Sequence, residues 1–244
     1  MQQVAPAGIG SRVEGVHAVS AALAAGRVRR LTIERGRKFE WLAEGAFRTP
    51  VVEVDDVRPL AETTAPQGVI ADCDPITPHT LKALVARAQR SALVVLDHVE
   101  DPHNLGAVAR SALAASATGL VVASRRAAPF GAAAFKTAAG ALEQLPVAIV
   151  NSVADAVSRL ESLGVWTVGL DAAADESLFG CPLFTEPVAL VIGGEAQGLG
   201  RLVGERVSKL VHIPMEPGVE SLNASVSAAL AMYEVRRARA DGPV

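Results

Sequence analysis

Cysteine is nearly absent. The two in 244 residues, Cys73 and Cys181, cannot frame a disulfide scaffold or a zinc ribbon, and they form no CxxC pair. A reducing, cytoplasmic setting is the expectation. Aromatic residues are only 4%, so abundant alanine must build close-packed helices. The five histidines (His17, His79, His98, His103, His212) have no metal-ligand spacing, and no metal is expected. No apolar run reaches the roughly 18 residues of a membrane helix. The first fifteen residues lack a basic region followed by an apolar stretch, so neither membrane association nor a signal peptide is expected. There is no GxxxxGK[ST] loop, no GxGxxG after a strand, no HExxH and no GxSxG elbow. Most common hydrolase and dehydrogenase chemistries fall away with them.

What remains is a globular composition, 50% apolar and 20% charged. The length suits one large domain or a small one plus a medium one, with matter enough for a sizeable core. A net charge of −3 excludes a uniformly basic nucleic-acid coat. The charge is uneven. Residues 1–90 hold 12 Lys/Arg against 10 Asp/Glu, and residues 91–244 hold 11 against 16. Arg27, Arg29, Arg30, Arg35, Arg37 and Lys38 stand within twelve residues against one Glu34. Such a cluster is either a solvated strand edge or a phosphate-contacting surface.

The periodicity predicts a small α/β module first. Helix is expected over 15–25 and 38–45, and strand over 28–33, 51–54 and 68–71. Asp72–Pro78, with two prolines, is the linker candidate, and 80–90 a connecting helix. Beyond it strands and helices alternate. Strands are expected at 92–96, 119–123, 147–150, 165–170, 188–192 and 210–213, and helices at 104–115, 132–142, 153–163, 199–207 and 224–239. That alternation predicts a parallel sheet with helices on both faces. The divisions are 1–75, a linker with its helix at 76–90, and 91–244.

Three segments concentrate polar residues at strand ends, where open α/β sheets hold ligands. In Leu96–Arg110 a buried strand passes through Asp-Pro-His-Asn into a helix, with Asn104 placed as an N-cap and Arg110 in an apolar surround. Leu190–Leu199 runs a strand into a glycine-rich turn bearing Glu195. Ile213–Ser225 brings Ser221, Asn223 and Ser225 to a helix start, more than one cap requires.

Together these segments resemble the motifs of the SpoU/TrmH family of RNA ribose 2′-O-methyltransferases, of the SPOUT superfamily. DPHNLGAVARSA is similar to its first motif, VIGGEAQGL to its second and IPMEPGVESLNASVSAAL to its third, in order and spacing over residues 91–238. Ala196, Gly194, Ala109 and Ala224 depart from the residues common there, and no polar motif residue is lost. The N-terminal module, with Gly15–Val19 and Pro66–Ile70, resembles a ribosomal-protein-L30e-like RNA-binding domain.

The resemblance implies a parallel-sheet SPOUT domain with a C-terminal trefoil knot, preceded by a small α/β domain. It implies S-adenosylmethionine as methyl donor, a homodimer joined through the knotted domain, and RNA as substrate, 23S ribosomal RNA foremost. A transfer RNA substrate and a non-catalytic ribosome-assembly factor are the rivals. It makes Asn104, Arg110, Glu195, Ser221 and Asn223 the polar catalytic set. Gly193, Gly194, Ile213 and Leu222, with Ser221 and Asn223, would hold the donor. Arg29, Arg30, Arg35, Arg37 and Lys38 would meet RNA. Arg110 enters as a cation that stabilises the developing alkoxide, because an arginine is rarely a base at neutral pH. Glu195 is expected to pair with Arg110 or brace its loop.

Overall fold

The computed structural model describes residues 9–43, 49–195 and 197–240. The N-terminal segment forms β1 (Arg12–Glu14), α1 (Val16–Ala24), β2 (Val28–Glu34), α2 (Glu40–Ala43), β3 (Val51–Val54) and β4 (Val69–Cys73). Its four strands lie in the order β1-β4-β2-β3, with β2 parallel to β3 and the other pairs antiparallel. β1 was not expected, since three residues are too few to show a period; it exists because Arg12–Glu14 pair with Ile70–Asp72. The helix expected over 38–45 is the short α2, and the last residues of that expectation lie outside the described ones.

The expected linker is held tightly. Asp72 and Cys73 belong to β4. The Asp74 amide donates to Arg27 O at 2.8 Å, that of Ile76 to Ile9 O at 2.8 Å, and that of His79 to Val147 O at 2.7 Å. The connecting helix is only α3 (Leu81–Val85), capped by the Thr80 hydroxyl.

The larger unit contains β5 (Ala92–Asp97), α4 (Pro102–Ala114), β6 (Gly119–Ala123), α5 (Ala132–Ala138), α6 (Ala141–Gln144), β7 (Val147–Val150), α7 (Val153–Ser162), β8 (Trp166–Leu170), β9 (Val188–Gly193), α8 (Arg201–Arg206), β10 (Lys209–Val211) and α9 (Ala224–Ala240). Its sheet is wholly parallel, in the order β10-β8-β9-β5-β6-β7. The apolar runs are continuous because both faces are covered. On β5, Ala92, Val94 and Leu96 join one core, while Leu93 and Val95 join the other. β9 divides likewise, Val188, Leu190 and Ile192 against Ala189 and Val191. Each of the valines, leucines and isoleucines among them contributes about 1.5–3 kcal/mol by leaving water. The helix expected over 132–142 is two, broken where Ala139 and Gly140 take positive φ angles of 49° and 93°.

The N-terminal sheet packs on the first of these cores. Val13, Val19 and Leu31 join Phe135 and Leu142 in one buried cluster. Across that seam the Arg27 guanidinium donates through Nε to Glu143 Oε2 at 2.7 Å and lies over the Phe135 ring. Both cysteines are free and buried, and burial pushes the Cys73 thiol up to about 12. No described helix is long and apolar enough to cross a membrane.

Candidate active site

β10, β8 and β9 are neighbours, so the chain leaves their C-terminal ends as three adjacent loops. These enclose a cavity of about 300 Å³. Its walls are Leu170–Ala172 after β8, the glycine turn from Ile192 to Leu199 after β9, and Ile213 and Glu220–Leu222 after β10. A second cavity of about 220 Å³ lies beside it, between His98–Asp101 and Asn104 on one side and Gly194, Glu195 and Gln197 on the other. Gly194, Glu195, Gln197 and Ala224 border both.

The turn depends on its glycines. A Cβ on Gly193 would lie 2.2 Å from the backbone carbon of Gly198, and one on Gly194 would lie 2.1 Å from His98 O. No side chain fits either position, because neighbouring backbone occupies the space. Asp97, buried at the end of β5, accepts from the Gly200 amide at 2.7 Å and holds the far end of the turn. Its sequence signal was faint: one carboxylate closing an apolar strand.

Three motif residues meet beside the shared wall: Glu195 borders both cavities, Asn104 only the smaller, and Asn223 lines neither. The Asn104 amide donates to Glu195 Oε1 at 3.2 Å. The Asn223 amide donates to Asn104 Oδ1 at 2.9 Å and also to Glu195 Oε1. Asn223 Oδ1 accepts from the Ser225 amide at 2.9 Å and its hydroxyl at 2.6 Å, and so caps α9. Asn104 is not the N-cap of α4. The helix starts earlier, at Pro102, and Asp101 caps it by accepting from the His103 amide at 2.8 Å. Proline suits the first helical position, where no amide is needed. Asn104 therefore lies inside the first turn, buried, with its Nδ2 free to donate to Glu195 and its Oδ1 to accept from Asn223.

The other expected residues divide. Gly193, Gly194, Ile213, Leu222 and Ser221 all line the larger cavity. Ser221 is exposed and takes no hydrogen bond among the described residues. Arg110 is exposed on α4 and lines neither cavity. Glu195 pairs with the two asparagines rather than with Arg110, which has no hydrogen bond or ion pair among the described residues. No cluster of metal-ligating side chains occurs among the described residues.

The N-terminal basic cluster proves to be charge-balanced. Arg29 pairs with Asp74 at 2.7 Å, Arg30 with Asp72 at 2.6 Å, Arg35 with Asp55 at 2.7 Å and Arg37 with Glu34 at 3.5 Å. Three of those carboxylates lie outside the cluster, on or beside the neighbouring strands, out of sight of a local charge count. Lys38 has no such partner among the described residues.

The model of the SpoU rRNA methylase family matches residues 91–233, and that of the RNA 2′-O ribose methyltransferase substrate-binding family matches residues 12–79. A 23S rRNA (guanosine-2′-O-)-methyltransferase from Xylella fastidiosa is 44% identical over 162 residues, covering 66% of this chain and 65% of that protein. The chain thus spans a little under two thirds of the length of that relative. One of the same name from Photobacterium profundum is 34% identical over 237 residues, covering 92% and 96%. Among solved structures, the SpoU methyltransferase AviRb from Streptomyces viridochromogenes, in complex with AdoMet, superposes with a TM-score of 0.82 at 30% identity over 95% of this chain and 91% of that one.

Proposed function

The chain belongs to the SpoU rRNA methylase family, and from that premise we propose that it methylates a ribose 2′-hydroxyl of RNA, with 23S ribosomal RNA as substrate and S-adenosylmethionine as donor. One observation carries the reading: Glu195, which borders both cavities, is hydrogen-bonded to Asn104, which lines the smaller one, and to Asn223 at the start of α9, so that one residue from each motif meets there. A donor in one cavity and a ribose in the other would meet across the shared wall.

The larger cavity suits the donor. Leu170, Ile192, Leu199, Ile213 and Leu222 offer apolar surface for a flat heterocycle, and the glycine turn offers backbone at close range. When bound, S-adenosylmethionine supplies a sulfonium methyl that is already strongly electrophilic. The chain's residues supply alignment, which can lower such a barrier by about 7–11 kcal/mol at best. Asn104 and Asn223 are locked by each other and by Glu195, so any group they hold is held in one orientation. Glu195 is the carboxylate that borders both cavities, and Ser221 adds a free hydroxyl to the donor side. Arg110 is the free cation of the first motif. A guanidinium stays protonated at neutral pH, so its part would be to stabilise a developing oxyanion and not to take its proton, although it lines neither cavity of its own chain.

A homodimer fits the surface around α9. Val226, Leu230 and Tyr233 stand exposed on one stripe of this helix, at i, i+4 and i+7, next to the site. A C-terminal knot would thread the segment between β10 and α9 through the preceding loop. The N-terminal unit, residues 1–75, serves as the RNA-docking domain beside the methyltransferase domain at 91–244. Ribosomal RNA as substrate places the enzyme in the cytoplasm.

The test is transfer of labelled methyl to purified 23S, 16S and transfer RNA lacking their modifications, followed by nucleoside mass spectrometry. A 2′-O-methylated nucleoside in 23S RNA is the expected result. Label confined to transfer RNA would overturn the substrate. Absence of donor binding would overturn the activity.

A further inference from the structure

A third cavity, of about 450 Å³, opens at the same end of the sheet, beyond the C-terminal ends of β5, β6 and β7. Arg125, Arg126, Arg201, His98, Asn151 and Ser152 are among its walls. His98 also borders the smaller cavity of the candidate site, so the two are contiguous.

The crevice is electropositive and its charge is uncommitted. Arg125 and Arg126 are exposed and have no hydrogen bond or ion pair among the described residues. Among the described residues Arg201 pairs with Glu205 alone, one turn along α8 at 2.7 Å, and both side chains are more than half exposed. Such pairs are weak and readily exchanged. Asp97 is the one carboxylate among the lining residues, and it accepts from the Gly200 amide. α7, ten residues long, starts in this wall, where Ser152, Val153 and Ala154 line the crevice and Ser152 caps the helix. His98 and Arg126 also hold left-handed backbone, with φ angles of 57° and 52°. Non-glycine residues rarely persist there, and they gather where a loop is shaped for a ligand.

The N-terminal cluster differs in degree: each arginine from Arg29 to Arg37 already has a carboxylate beside it, in exposed pairs as weak as that of Arg201. In the crevice no ion pair of Arg125 or Arg126 need break. We infer that the crevice binds a phosphodiester of the RNA strand flanking the methylated nucleotide, with Arg125 and Arg126 as its contacts. This rests on the reading that RNA is the substrate.

The test compares the full-length protein with an Arg125→Gln/Arg126→Asn variant; asparagine is chosen because it tolerates left-handed backbone. RNA binding is measured by filter retention from 50 to 200 mM salt, alongside S-adenosylmethionine binding and steady-state methyl transfer. Each phosphate contact on a single strand contributes about 0.7 to the slope of log affinity against log salt. The slope should therefore fall by about 0.7 for the one phosphodiester, and KM for RNA should rise about tenfold, as expected for losing charge-assisted hydrogen bonds. Donor affinity should be retained, which also reports an intact fold. Lysine at both positions should restore most of the slope. An unchanged slope and KM would overturn the inference. So would millimolar inorganic phosphate stabilising the wild type but not the variant while RNA binding is unaltered, since the crevice would then serve a free anion. A wild type that binds RNA without methylating it, and a variant that still loses the slope, would sink the proposed activity and leave the crevice standing.

Discussion

Asn223 and Asn104, 119 positions apart in the chain, are joined by a 2.9 Å hydrogen bond from the Asn223 side-chain amide to Asn104 Oδ1. The same Asn223 side chain caps α9 through its other polar atom. One residue therefore both starts the last helix and ties it to the first turn of α4.

Those two roles can be separated. Asn223→Ser keeps an oxygen for the cap but loses the amide donor, so methyl transfer should fall about a hundredfold, the loss typical of one preorganised donor. Stability should change by less than about 1 kcal/mol. Asn223→Ala should lose the same activity and about 1 kcal/mol more, the usual value of a cap. Urea titration alongside turnover of both variants checks this; equal stability of the two would refute the cap.

Gly193→Ala should be poorly tolerated. Its Cβ would lie 2.2 Å from the Gly198 backbone, and backbone cannot swing aside as a side-chain tip can. A cost of about 1–3 kcal/mol is expected, with weakened donor binding. Gly204 in α8 has nothing within 4 Å of its Cβ position. Gly204→Ala should stabilise by about 0.5–1 kcal/mol through helix propensity. Thermal unfolding and calorimetric donor titration distinguish the pair.

The seam between the two sheets turns on Arg27 and Glu143, whose side chains are 12% and 3% exposed. Removing one partner strands a buried charge. Arg27→Met should destabilise by about 3–5 kcal/mol, and adding Glu143→Leu should recover most of it. A double-mutant cycle in urea gives the coupling; simple additivity would mean that the pair is solvated and unimportant.

Glu234 sets an acid limit. Its carboxylate, almost fully buried, accepts from Arg237 at 2.7 and 2.8 Å and from the Gly180 amide at 2.9 Å. The Arg237 bonds foremost, with the Gly180 amide, hold its carboxyl below the ordinary 4.5. The stabilisation is complete above the unfolded value and is lost as pH falls through the depressed folded one. Wild type and Glu234→Gln should therefore differ most near neutrality and converge towards pH 3. A difference in urea midpoint that is constant from pH 7 to 3 would exclude this linkage.

The amino-acid order alone determined the alternation of the larger unit, because strands buried on both faces must be apolar throughout while helices carry a 3.6-residue period. It also marked the three polar segments, whose residue types are out of place in a core. It could not say which residue opens α4: Asp101 and Asn104 are both good caps, and Pro102 between them gave the helix to the earlier one. It could not reveal β1, whose three residues are strand only because β4 lies beside them. Nor could it reveal that the arginines from Arg29 to Arg37 are already paired, since Asp55, Asp72 and Asp74 reach them across the sheet. Only the tertiary structure set Arg125, Arg126 and His98 around one crevice and brought Asn104, Glu195 and Asn223 within hydrogen-bond reach. Strand order decides both: neighbours in a parallel sheet are not neighbours in sequence, so the loops that meet at one end come from distant parts of the chain.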